Sequence, residues 1–152
     1  MATNFLWGTR QSATTLLTTE LNNLATANGS AQSAAIDLTA SGWQLGDLEL
    51  VIASSSLAFT AASYVDIYFN VSADGTTYAK YTSGASWKLA QNYFAARIWI
   101  HPATLSAEAI IEVAREVRIP SAKFKAILVS TAGVTLPASG NTLKLYPTPE
   151  QY

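Results

Sequence analysis

Between Tyr64 and Val71 the side chains alternate without a break: Val65, Ile67, Phe69 and Val71 stand against Tyr64, Asp66, Tyr68 and Asn70. A period of two places one set on a buried face and the other on a wet one, the signature of a strand in an antiparallel sheet. Ser72-Ala73-Asp74-Gly75-Thr76 follows at once. Asp-Gly supplies the positive-φ positions of a tight turn, so Thr77–Tyr81 is expected to return as the second strand of a hairpin. The same alternation recurs in Ser33–Leu38, in Asp47–Ala53 with Leu48, Leu50 and Ile52 on one face, and in Phe94–Ile100 with Phe94, Ala96, Ile98 and Ile100 opposed by Arg97 and Trp99. Lys123–Ser130 and Thr142–Tyr146 continue it.

One stretch reads two ways. Ile110, Val113, Ala114 and Val117 fit a helix face, while Ile111 and Val113 fit a strand beside Ile119-Pro120, and the abundance of β-branched residues favours the strand. Seven to nine strands separated by turn-rich segments predict an all-β chain: an antiparallel β-sandwich, jelly-roll-like in arrangement. Residues 1–32 differ in texture. They are rich in Thr, Ser, Asn and Ala, but carry Phe5, Leu6, Trp7, Leu16, Leu17, Leu21 and Leu24. They are expected to form an extended N-terminal arm with a helical turn near Thr19–Leu24, docked on its own domain or on a neighbour, ahead of a sandwich domain over 33–152. A first strand of the sandwich fits the pattern equally well.

Ionisation narrows the function. Charged residues make up 12% of the 152, about half the share in an ordinary soluble domain. A surface of Ala, Ser and Thr is cheap to desolvate and suits an assembled state, a homo-oligomer or a larger array. The net charge of −1 lacks the basic footprint of a nucleic-acid binder. It divides unevenly: one basic residue against six acids over 1–79 gives −5, and eight against four over 80–152 gives +4. Opposed charge of that kind would favour head-to-tail contact if the halves formed separate surfaces. Without cysteine there is neither a disulfide framework nor a thiolate metal site. The absence of an apolar run long enough to span a bilayer, and of a basic leader, leads to the expectation of a product made in the cytoplasm with no membrane partner. The sequons Asn28-Gly29-Ser30 and Asn70-Val71-Ser72 are then chance matches.

Residues for catalysis are sparse. The single histidine, His101, precedes Pro102 at a strand end, and no Gly-x-Ser-x-Gly element positions a nucleophile for it. The ten acids are dispersed, so no metal site is expected, and Asp74 is explained by its turn better than by a calcium ion. A carboxylate pair for glycoside hydrolysis, drawn from Glu108, Glu112, Asp66 or Asp47, has nothing in the pattern to select it. The glycines are isolated turn formers, not a phosphate cradle. The reading is a non-enzymatic chain without cofactors.

Aromatic residues carry the remaining signal. Tyr64 and Tyr68 fall on the polar face of their strand, Trp99 faces away from Ile98 and Ile100, and Trp87 lies nearby in sequence. With Phe5, Leu6 and Trp7 they are the candidate interface residues. Three uses stay open: anchors for a protein partner, rings covered by the fold's own arm or loops, or platforms for a glycan.

Several segments are also familiar as a set. These are Leu21-Asn22-Asn23-Leu24-Ala25-Thr26-Ala27-Asn28-Gly29-Ser30, Tyr64-Val65-Asp66-Ile67-Tyr68, Ser72-Ala73-Asp74-Gly75-Thr76-Thr77-Tyr78-Ala79, Phe124-Lys125-Ala126-Ile127-Leu128 and Ala138-Ser139-Gly140-Asn141-Thr142-Leu143. Together they resemble a family of small virion structural proteins of tailed bacteriophages, over most of residues 21–146. The resemblance implies a capsid decoration or cement protein, a trimer seated on the major capsid protein lattice of the virion. A tail or neck component is the neighbouring alternative, and a carbohydrate-binding module for host attachment the one from another class.

Overall fold

A computed structural model describes residues 12–25, 29–39, 44–53, 57–82, 92–101 and 109–148. They form nine strands: β1 (Thr14–Leu17), β2 (Gly29–Gln32), β3 (Ile36–Asp37), β4 (Leu45–Ile52), β5 (Tyr64–Val71), β6 (Tyr93–Trp99), β7 (Ile110–Arg118), β8 (Lys123–Thr131) and β9 (Thr142–Thr148). Two antiparallel sheets result, one ordered β1-β9-β4-β7 and the other β2-β8-β5-β6, with β3 also on β8. The chain is an antiparallel β-sandwich. Every connection crosses from sheet to sheet except β2–β3 and β5–β6.

The core lies where the inner faces meet. Leu48, Leu50 and Ile52 of β4 and Leu143 and Leu145 of β9 pack against Val65, Ile67 and Phe69 of β5 and Phe124, Ala126 and Leu128 of β8, all buried. At roughly 25 cal/mol per Å² of apolar surface, such a core is the main stabilising term of a chain without disulfides.

The described residues 12–25 and 29–32 depart from an arm. Thr14–Leu17 pairs with β9, Gly29–Gln32 pairs with β8, and Leu16, Leu17, Leu21 and Leu24 are buried in the chain's own core. The helical turn expected near Thr19–Leu24 is a single 3-10 turn, Thr19–Leu21. The boundary drawn at residue 32 therefore falls inside the sandwich, and Phe5, Leu6 and Trp7 lie outside the described residues. The strand expected over Ser33–Leu38 pairs only at Ile36–Asp37. Upstream, the Ser33 N–H donates to the Ala126 carbonyl at 2.9 Å, but the Ser33 hydroxyl rather than a backbone carbonyl accepts the Ala126 N–H at 2.9 Å and donates to the Ala34 carbonyl at 2.6 Å.

The hairpin after β5 does not form. β8 and β6 occupy both edges of β5, so Thr77–Tyr81 has no ladder to join. The turn chemistry holds nonetheless. Asp74 Oδ1 accepts the N–H groups of Thr76 and Thr77 at 2.8 and 2.7 Å, and Gly75 takes the positive φ of 76°. The segment then runs as a strap over the outer face of the second sheet. Tyr78 meets Lys125 with 4.8 Å between ammonium and ring centre, Ala79 meets the Asn70 side chain, and the Tyr81 hydroxyl donates to Ser30 at 2.9 Å. On the same outer face Ile127 and Tyr68, paired across β8 and β5, are buried outside the main core as a satellite cluster. The face of β5 expected to be wet is thus half covered: Asn70 is only 1% exposed.

The ambiguous stretch is strand β7, and its bulge explains the ambiguity. Gly46 pairs with Val117 and Leu48 with Ala114, so Asp47 faces two residues, Arg115 and Glu116. The extra residue flips the parity and leaves Ile110, Ala114 and Val117 pointing inward, a spacing that imitates a helix face. Glu116 takes a φ of 55° there, and its N–H donates to Asp47 Oδ1 at 3.0 Å.

Candidate interaction face

The aromatic candidates gather on the outer face of β5 and β6. The register sets Tyr64 beside Trp99, Asp66 beside Arg97 and Tyr68 beside Phe94. Tyr64 and Trp99 meet edge to face with centroids 5.1 Å apart, and Tyr68 and Phe94 do the same at 5.4 Å. Between the two pairs Arg97 grips Asp66 through Nε at 2.7 Å and Nη2 at 2.9 Å, a bidentate geometry. The guanidinium carbon also lies 3.9 Å from the centre of the Tyr64 ring. Guanidinium, carboxylate and rings are thereby held in one arrangement, and the carboxylate keeps the Arg97 pKa above its ordinary value.

Phe94 corrects the expectation that it faces the core. Ile67 pairs with Ala96 and Tyr68 with Phe94, so Ala95 is an extra residue that rotates Phe94 to the outside. Phe94 is 50% exposed and Trp99 51%. Tyr68, in contrast, is 7% exposed; burial, then the charge of Asp66, raises its hydroxyl pKa. Of the candidate residues the structure brings Tyr64 and Trp99 together at the open end of the face and removes Tyr68 from contact with large partners. Trp87, like Phe5, Leu6 and Trp7, lies outside the described residues.

Sequence reasoning missed a second set. Ile111 and Val113 of β7 are 61% and 40% exposed on the outer face of the other sheet, where they pair with Val51 and Glu49. β6 and β7 are the edge strands on the same side of the sandwich. Together with Tyr93, every large apolar side chain exposed among the described residues stands on these two strands. Only strand order could reveal that, since the β7 sequence by itself reads as either a helix face or a strand.

His101 closes this side. Its Nδ1 lies 2.7 Å from Glu112 Oε1, which also accepts the His101 N–H at 3.2 Å, so the end of β6 is tied to β7. Asp74 is saturated by its own turn: the Ser72 hydroxyl shares Oδ1 and the Thr77 hydroxyl takes Oδ2. These bonds, those from Thr77 and Thr76 above all, hold its carboxyl well below the usual range. Among the described residues no three His, Asp or Glu side chains come together as a metal site. Asn70, the acceptor of the second sequon, is buried and bonded to Ala79. Compared with protein families, with curated proteins and with solved structures, the chain matches none.

Proposed function

We propose that this chain is a non-enzymatic structural component of a tailed-phage virion, a capsid decoration or cement protein that binds the assembled major capsid protein. The observation that carries the reading is the strand order. We read β1-β9-β4-β7 facing β2-β8-β5-β6 as a jelly-roll-like order, taking β2 and β3 as one interrupted strand. That architecture serves viral capsid and lectin domains, and the segments around Tyr64–Tyr68 and Ser72–Ala79 resemble those of small virion proteins, though the second also resembles other β-sandwich modules. Fold alone does not fix function, so the surface must supply the rest. Sparse charge and the exposed Ile111 and Val113 on an edge strand suit contact with neighbouring proteins.

In this reading a trimer binds only the assembled lattice and reinforces it by mass action, without turnover. Weak contacts repeated over a shell add through multivalency. Capsids stripped of the chain should lose resistance to heat and osmotic shock, and regain it on adding the purified protein. Ile111→Lys combined with Val113→Lys, which sets no like charge against the paired Glu49, should block that rescue while leaving the melting temperature nearly unchanged, as expected for exposed sites. Stripped capsids as resistant as intact ones would refute the cement role. Localisation to the tail or neck by electron microscopy would move the chain to the neighbouring structural role.

A further inference from the structure

The open end of the β5–β6 face holds chemistry that an assembly role does not use. We propose that Trp99, Tyr64, Arg97 and Asp66 form a stacking site for neutral pyranose units of a polysaccharide. The inference is independent of where in a particle the chain sits. A pyranose is amphipathic, with an apolar C–H face and a rim of hydroxyls, and the site presents both complements side by side. Trp99 offers a half-exposed ring, and Tyr64, inclined at 61° to it, forms a wall. Beside them lies the Arg97–Asp66 pair, whose side chains are 40% and 13% exposed. The bidentate contact uses Nε and one Nη2 hydrogen, which leaves both Nη1 hydrogens, the other Nη2 hydrogen and carboxylate lone pairs for hydroxyl groups.

Charge selects the occupant. Arg97 and Asp66 cancel, so an anionic glycan or a phosphate backbone finds no surplus cation in the pair. A protein sealed over the same spot would have to desolvate an ion pair at its centre, where interfaces are depleted of charge. Sugar hydroxyls replace the lost water contacts one for one. The geometry is also fixed in advance: cross-strand register sets Asp66 against Arg97, and the guanidinium is stacked 3.9 Å from the Tyr64 ring centre. Little side-chain entropy is then lost on binding. Phe94 extends the site, since its partner Tyr68 lies four positions from Tyr64, or about 13 Å along the strand, with room for a second ring of the same chain.

Affinity electrophoresis of the whole chain through gels containing dextran, amylose or galactan, with alginate as the anionic comparison, tests this. At least one neutral polymer should retard the protein, and Trp99→Ala should weaken that interaction about tenfold, the loss of one stacking contact. Trp99→Phe, which keeps a smaller ring and guards against a folding defect, should retain part of it, and Ile111→Ala all of it. Three results would overturn the proposal: no retardation by any neutral polymer, retardation by alginate alone, or equal retardation of parent and Trp99→Ala. Loss of attachment to virion proteins in Trp99→Ala, with no glycan binding in the parent, would assign the face to a protein instead.

Discussion

Asn70 offers the sharpest test of how the strap is held. Its side chain is buried on the outer face of β5, where Nδ2 donates to the Ala79 carbonyl at 2.8 Å and Oδ1 accepts the Ala79 N–H at 3.2 Å. One amide thus does for Ala79 what a neighbouring strand would have done. Asn70→Ala removes both bonds and leaves both Ala79 groups seeking partners. Each hydrogen bond contributes about 1 kcal/mol net, so the loss should be about 2 kcal/mol, rising toward 4 kcal/mol if the Ala79 groups stay buried and unpaired. For a domain of this size about 2 kcal/mol lowers the melting temperature by roughly 4–8 °C. Calorimetry gives that shift, and amide hydrogen exchange locates it: protection at Ala79 should collapse while that of Ile67 and Leu128 in the core ladder falls only by the global amount. Asn70→Asp sharpens the test by keeping the acceptor and turning the donor into an oxygen that faces a carbonyl. Its carboxyl pKa should rise in the folded state, so this variant should be least stable above that raised value and recover as pH falls through it toward the unfolded value near 4, when the proton restores a donor. An Asn70→Ala variant that melts within a degree of the parent, with Ala79 still protected, would refute the idea that this amide anchors the strap.

Glu116→Gly should stabilise the chain by about 0.5–1 kcal/mol, because Glu116 holds a φ of 55° that glycine adopts freely; a lower midpoint in urea would mean the bulge is unstrained. Ile127→Ala should cost about 2–5 kcal/mol and Ile111→Ala almost nothing, since the first is fully buried and the second is mostly exposed; equal losses in chemical denaturation would contradict the satellite cluster. Stability should also fall with acid in a defined window. Thr39 hydrogen bonds, from side chain and backbone, together with Lys123, lower the Asp37 pKa to about 2, and the Asp74 turn lowers its carboxyl likewise. A depressed folded pKa stabilises above the unfolded value near 4 and loses that contribution as pH falls toward 2, so Asp74→Ala should flatten the urea-midpoint profile between those limits; an unchanged slope would refute it.

Much of the fold was legible because it is written locally. Alternation in Tyr64–Val71 and Asp47–Ala53 found β5 and β4 with their inward faces, and Asp74-Gly75 announced a turn that forms with the expected capping bonds. What failed did so at bulges and edges. Ala95 in β6 and Arg115–Glu116 in β7 each add a residue opposite one partner, which turned Phe94 outward and gave β7 its helix-like spacing. Thr77–Tyr81 has strand-like composition but no free edge to join, because residues far along the chain occupy both sides of β5. The candidate face was half visible for the same reason: Tyr64 and Trp99 could be placed outward by parity, whereas the burial of Tyr68 and the exposure of Ile111 depend on what lies next to them in space.

By itself the sequence determined that this chain builds strands, where most of them run, and that their shared apolar face supports a two-sheet core with little charge around it. Only the tertiary structure decided which strands became edges, where Thr77–Tyr81 crosses the outer face, and which aromatic rings of β5 and β6 stayed open to solvent. A side chain's facing is set by its nearest neighbours in the chain, through the two-residue period of the backbone. Its covering is set by segments tens of residues away, whose positions follow from packing that no local pattern records.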